Sequence, residues 1–331
     1  MASAIEIRDL RVDYGDFIAV HGLDLEVPEG EVYGLVGPNG AGKTSTFKVL
    51  ATLLEPTYGD VRIAGFDLRE EVISIRKVLG YMPDLAPVPS DLKVREFLDY
   101  HAQTHNIGPK AARDERIDEC LDQVKLADKQ GAWCHQMSRG QTQRLVLAKT
   151  LLHRPRVMIL DEPASGLDPL SRRELRHTLQ AVAQEGTTVI VSSHILTELA
   201  EMCTSIGVLN QGKLLASGTA REVREKLGGA ERILTAVFLN DQEAGATLLR
   251  ECEGVDQVEV SKSEVDFRFR GTGEDQCALL KKLAAGPQPL RSLQEESSTF
   301  EEILVRVAEE SREQGPGKID KKEEVKAEVT V

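Results

Sequence analysis

No stretch of this sequence approaches the roughly 18 consecutive apolar residues that cross a bilayer as a helix. Its first residues, including Ile5, Glu6, Ile7, Arg8 and Asp9, lack the apolar core of a signal peptide. The expectation is a chain that neither spans a membrane nor is exported. Cysteine is scarce too: Cys120, Cys134, Cys203, Cys252 and Cys277 are odd in number, scattered and without metal-ligand spacing. That argues against a disulfide framework or a zinc site and fits reduced thiols in the cytosol. Positive charge also runs short. Net charge is −13; from Gly229 onward 14 Lys and Arg face 22 Asp and Glu, or −8, which leaves −5 for the rest. Neither part is basic, so binding to nucleic-acid phosphates has no electrostatic support. No heptad pattern is sustained, which argues against a long coiled coil.

What the chain does carry is Gly37-Pro38-Asn39-Gly40-Ala41-Gly42-Lys43-Thr44-Ser45, a fit to G-x-x-x-x-G-K-[ST]. The context is right. Val32–Val36 reads as a short buried strand, and the segment from Thr46 to Leu54 carries apolar positions at helical spacing. The glycines let the backbone curl so that several N–H groups face a phosphate, and the following helix adds its positive dipole end. Lys43 is expected on the β- and γ-phosphates and the Thr44 hydroxyl on Mg²⁺.

Around this loop, Ile5, Ile7 and Leu10, then Leu23, Leu25 and Val27, alternate as half-buried strands do. Tyr14 precedes the loop, where an aromatic either packs on its neighbours or stacks on an adenine ring. Val61–Ile63 and Val78–Tyr81 read as further strands, the second closed by Pro83-Asp84. Helical patterns at about Val94–His105 and Ala111–Leu126 then indicate an inserted helical subdomain over about 84–150, with Trp133 as a packing residue. Ser138-Arg139-Gly140-Gln141 opens another helix and makes a second potential anion site. Val157–Leu160 is a buried strand delivering Asp161 and Glu162, an arrangement in which Asp holds Mg²⁺ and Glu polarises the attacking water. Gly166-Leu167-Asp168-Pro169 is a turn, and the apolar run from Thr187 ends in His194 at the expected ligand edge of the sheet.

Taken together, residues 3–226 resemble the ATP-binding subunit of an ABC transporter. The resemblance implies an α/β phosphate-loop cassette with a mixed sheet core. It implies that Tyr14 stacks on adenine, that Gly37–Ser45 hold the phosphates, and that Ser138, Gly140 and Gln141 form the signature segment. Asp161 and Glu162 match the Mg²⁺-binding and catalytic carboxylates, Asp168 the loop at a dimer interface, and His194 the switch histidine on the γ-phosphate. Catalysis would rest on Glu162, His194 and Lys43, and Mg²⁺ on Thr44, Asp161 and Asp84. Two departures from the family stand out: Asp84 where Gln is usual, and Met137 and Arg139 where the signature has Leu and Gly. The form of Gly80–Asp84 and of Ser138–Gly140 is similar to the exporter branch whose permeases are separate chains. The implied partners are a membrane permease and a second copy of the chain closing each ATP site, at the inner face of the cell membrane. The rival is a soluble ATPase of the same superfamily acting on a macromolecular machine; such chains usually carry two cassettes or a long coiled coil.

Residues 1–228 are thus expected to form the cassette and Gly228-Gly229 a hinge. Beyond it, strand Ile233–Leu239, helix Glu243–Cys252, strands Val255–Val260 and Val265–Phe269, helix Gln276–Ala284 and strand Leu290–Gln294 are predicted, followed by a helix at Phe300–Ala308. The βαββαβ order suggests a ferredoxin-like α+β domain over 229–310. It resembles the C-terminal domain found on many ATPases of that branch, which implies a regulatory or dimer-stabilising role. Ten of the 21 residues from Ser311 to Val331 are charged, so this tail is expected to be disordered.

Overall fold

The structure, a computed structural model, describes residues 2–228 and 231–296. The chain divides into two compact units, Met1–Arg224 and Glu225–Val331. The predicted helix Phe300–Ala308, the charged tail and Gly229 lie outside the described residues.

The first unit is built on a six-stranded sheet in the order Lys213–Gly218, Ser205–Asn210, Val32–Val36, Thr188–Ser193, Val157–Leu160, Leu79–Met82. All neighbours run parallel except the edge strand Lys213–Gly218. Every residue of Val32–Val36, Val157–Leu160 and Thr188–Ser193 is buried. Strands covered on both faces favour apolar side chains along their length, hence the largely apolar runs in the sequence, with Thr188, Ser192 and Ser193 the buried polar exceptions. Val36 pairs with Ser193, Leu160 with Val191 and Met82 with Leu160. That register makes the segments starting at Gly37, Pro83, Asp161 and His194 leave the sheet along one edge.

A second, antiparallel sheet follows the order Phe17–Pro28, Ser3–Tyr14, Tyr58–Ile63, Phe66–Asp67. Its first two strands are longer than the alternation predicts. The register shifts between Ile7 and Leu10, where Asp9 takes a φ of +48°, and such a bulge breaks the period of two. Between the sheets, helix Lys43–Leu50 buries Phe47, Val49 and Leu50 in one core with Ile5, Leu23, Ile63, Ile159 and Ile190. Each large side chain so enclosed contributes about 2–3 kcal/mol.

Between Met82 and Val157 the chain forms helices Val94–Thr104, Lys110–Gln123 and Arg139–Leu151. The second stops short of the predicted Leu126, because Lys125 enters the left-handed region at φ +57° and a 3₁₀ turn follows at Ala127–Lys129. Arg116 closes the third helix by donating from Nε to Leu152 O (2.9 Å) and from Nη2 to Leu151 O (2.5 Å). Nearby, the His105 and His153 rings stack 4.1 Å apart, and His153 Nε2 lies 2.9 Å from Leu79 O. Trp133 is not a core residue: it is 39% exposed, with the Lys93 ammonium 5.5 Å from its ring centroid.

The second unit has the predicted order, with strands Glu231–Phe238, Val255–Val260, Val265–Arg270 and Leu290–Glu296 and helices Gln242–Arg250 and Gly273–Ala284. The sheet order is Val255–Val260, Val265–Arg270, Glu231–Phe238, Leu290–Glu296, with antiparallel neighbours, the ferredoxin-like arrangement. Val265, Phe267 and Phe269 point into a core with Leu234, Phe238, Leu249 and Leu283. The alternation visible in the sequence is the two faces of that strand.

Candidate active site

A cleft of about 380 Å³ opens at the sheet edge. It is lined by Asn39–Ser45 of the phosphate loop, by Asp84, Glu162, Ser165 and His194, and by Phe17 and Ala19 from the second sheet. The loop's shape depends on Gly42, which holds the N-cap of helix Lys43–Leu50 at a φ of +104°. A Cβ there would fall 2.5 Å from Ala19 O, so backbone sterics exclude any side chain.

Lys43 is 6% exposed; its Nζ donates to Gly37 O at 2.6 Å and to Pro38 O at 3.3 Å and lies 3.6 Å from Glu162 Oε1. Burial lowers the pKa of this ammonium, against the opposing pull of Glu162 and Asp161. Glu162 Oε2 meets His194 Nδ1 at 2.9 Å, so one carboxylate bridges the lysine and the histidine. Glu162 itself has a φ of +48°, sparsely populated for a residue with a side chain. Its N–H donates to Ser192 Oγ at 2.8 Å, and Ser192 Oγ donates to Asp161 Oδ1 at 2.6 Å. One serine at the end of a core strand thus fixes both acids.

Asp161 is 2% exposed. A carboxylate so enclosed and only partly hydrogen-bonded suits a bound cation. The available donors, the Thr44 hydroxyl and the Asp161 and Asp84 carboxylates, are all hard oxygens. Among the described residues no group of three or more His, Cys, Asp or Glu forms a ready-made cage. That fits Mg²⁺, which usually takes one or two carboxylates and completes its shell with water and substrate phosphates. Asp84 is largely exposed; partial desolvation of its carboxyl at the cleft, then the charges of Asp161 and Glu162, raise its pKa, while Arg139 and His194 oppose the rise. The Tyr81 phenol is pushed up to about 12 by burial, with Asp161 and Asp84 adding to it.

The other expected residues lie elsewhere. Tyr14 is not in the cleft lining; it is 46% exposed and its hydroxyl sits 3.4 Å from Ser45 Oγ. Ser138 caps helix Arg139–Leu151, its Oγ accepting from Gln141 N at 3.3 Å while Gln141 Oε1 accepts from Ser138 N at 2.9 Å. Asp168 caps helix Pro169–Gln184, its Oδ1 accepting from Leu170 N and Ser171 N, both at 3.0 Å. Gly140 packs between these two caps, where a Cβ would lie 2.9 Å from Ser171 Oγ. Ser138, Gln141 and Asp168 thus gather around the buried Gly140, and none of the four lines the cleft of its own chain. Sequence reasoning missed Phe17, Ser165 and Ser192. Only Ser192, polar inside an apolar strand, left a readable signal.

A phosphate loop at a helix N-terminus, facing an Asp-Glu pair and a histidine across a parallel sheet edge, defines a nucleotide-hydrolysing phosphate-loop fold. Comparison narrows the class. The family model for ABC transporters matches residues 20–165. The chain is 36% identical over 253 residues to daunorubicin resistance ATP-binding protein DrrA3 of Streptomyces coeruleorubidus, covering 76% of this chain and 79% of that one. It is 32% identical over 266 residues to bacitracin transport ATP-binding protein BcrA of Bacillus licheniformis, covering 80% and 84%. A solved ATP-binding subunit of an ABC transporter matches at a TM-score of 0.62 and 28% identity, over 68% of this chain and 94% of that one. The chain belongs to the ATP-binding proteins of ABC transporters, and it is an ATPase.

Proposed function

We propose that this chain powers export through a separate membrane permease, pairing with a second copy of itself over two ATP molecules. The observation that carries the chemistry is Glu162, held between Lys43 at 3.6 Å and His194 at 2.9 Å inside the phosphate-loop cleft. Bound triphosphate draws the Lys43 ammonium onto its β- and γ-oxygens. Glu162 then takes a proton from the water attacking the γ-phosphorus, the bond to the bridging β–γ oxygen breaks, and ADP and phosphate leave. His194 orients Glu162 and steadies the γ-phosphate. Thr44, Asp161 and Asp84 would hold Mg²⁺, which would further neutralise the phosphate charge.

Export is supported by the relatives' names, which speak of drug resistance and of bacitracin transport. No described helix is long and apolar enough to cross a membrane, so the transport path would lie in a partner chain. Pairing is supported by the position of Ser138–Gln141 and Asp168, none of which lines its own chain's cleft. The second unit, separate in its core, would regulate or stabilise that pair. The cytoplasmic face of the membrane is the place where such a subunit meets both ATP and its permease.

Glu162→Gln tests the chemistry: it should bind ATP like the parent, hydrolyse it at least 100-fold more slowly, and accumulate as an ATP-bound dimer. Parental turnover would remove Glu162 as the base. A membrane protein co-purifying with the chain would identify the permease.

A further inference from the structure

We propose that Arg172 and Glu198 are positioning residues for His194: through them the loop ending at Asp168 is tied to both chain neighbours of the histidine. This rests on the part given to His194 above. Helix Pro169–Gln184 starts directly after Asp168, and helix Leu196–Met202 starts two residues after His194. A cleft of about 330 Å³ opens between them, lined by charged side chains of both. Two ion pairs cross it, Arg172 with Glu198 and, one turn further along, Arg176 with Glu201. At this end the helices are bridged by charge across an open cleft.

The two pairs differ in what stands behind them. Glu201 is exposed, whereas the side chain of Glu198 is only 8% exposed, and Arg172 is its one cation partner among the described residues. Arg172 Nε lies 3.0 Å from Glu198 Oε1 without an aligned hydrogen bond, so charge holds the contact. On one side, Arg172 Nη2 donates to Leu167 O at 3.2 Å, in the loop that leaves the ATP cleft at Ser165 and caps its helix at Asp168. On the other, Ser193 Oγ donates to Glu198 Oε2 at 3.2 Å and accepts from Ile195 N at 3.0 Å. Ser193 and Ile195 flank His194, whose Nδ1 meets Glu162 Oε2 at 2.9 Å. The imidazole has no other hydrogen-bond partner among the described residues, so its backbone decides whether it reaches Glu162. A buried carboxylate stays in place only with its cation. Without Arg172, Glu198 would leave its site, release Ser193 and let the turn around His194 shift.

Replacing both partners avoids leaving either charge buried and unpaired. In the full chain, Arg172→Gln with Glu198→Gln should bind ATP within about twofold of the parent and lower kcat about 10-fold, with KM little changed. Arg172→Lys keeps the charge and should cost about threefold at most. In a His194→Ala chain the same double change should cost less than about twofold more, because nothing is left to position. Arg176→Gln with Glu201→Gln cuts the neighbouring pair, which touches neither Leu167 nor Ser193, and should leave kcat within about twofold. Parental kcat in the Arg172 and Glu198 double variant would overturn the proposal. So would a comparable loss that persists in the His194→Ala chain, or an equal loss on cutting Arg176 from Glu201, the results expected if the pair only packs two helices. His194→Ala turning over at the parental rate would instead remove the reading of His194, and the proposal with it.

Discussion

Lowering the pH from 7 to 5 should destabilise the chain through the histidine seam beneath the helical subdomain. Burial pushes His101 and His153 down to about 4 from an ordinary 6.5, with Lys149 and His105 adding to both. A folded pKa below the unfolded one means that the unfolded chain binds the proton more readily. Stability is therefore full above about 6.5 and is lost as the pH falls through that value toward 4. Linkage gives about 2 kcal/mol per histidine between pH 7 and 5, and halving this for their partial exposure leaves about 2 kcal/mol for the pair. His21 and His105, also lowered chiefly by burial, act in the same direction. Trp133 is the only tryptophan and lies in the helical subdomain, so its fluorescence in urea titrations reports the effect. His153→Phe keeps a ring against His105 and removes one titrating group; it should flatten the pH dependence by about 1 kcal/mol. Equal urea stabilities at pH 7 and 5, or a His153→Phe variant as pH-sensitive as the parent, would refute the reasoning.

Three further outcomes are expected. Phe17→Ala should weaken ATP binding by about 1–3 kcal/mol and leave tripolyphosphate binding unchanged, because a base-stacking face is lost while the phosphate cradle stays; Tyr14→Ala in the same calorimetric titration shows which aromatic faces the base. Gly42→Ala should abolish ATP binding and cost about 1–3 kcal/mol of stability, since the new Cβ meets Ala19 O and the φ of +104° disfavours it; parental binding in a nucleotide titration would contradict the loop geometry. Asp84→Ala should lower permease-stimulated ATPase turnover more than basal turnover, and equal loss in both assays would remove Asp84 from coupling to the permease.

Much of the site could be read in the sequence because phosphate-loop chemistry is linear. The cradle of Gly37–Ser45 needs consecutive residues, and Asp161-Glu162 must follow a strand directly. His194 was readable for the same reason, ending the run that starts at Thr187. Element ends were less legible. Lys125 and Asp9 take left-handed conformations without being glycine, so periodicity alone extended one helix and shortened two strands. Trp133 packs as the sequence suggests, but against Lys93 and His135 at the surface rather than inside a core.

The sequence alone determined the local chemistry and the order of elements: apolar runs that must be buried on both faces, glycines that alone permit the loop, and acids delivered at a strand end. Which of those pieces meet was decided by tertiary structure. Parallel register aligned Val36, Met82, Leu160 and Ser193 at one edge, so that residues more than a hundred positions apart share one cleft. The same packing set Ser192 between Asp161 and Glu162, turned Phe17 toward the cleft, stacked His105 on His153, and laid Arg139 on Gly166. None of these contacts has a signature in residue spacing, because each joins segments whose separation along the chain is set by the intervening elements rather than by the contact itself.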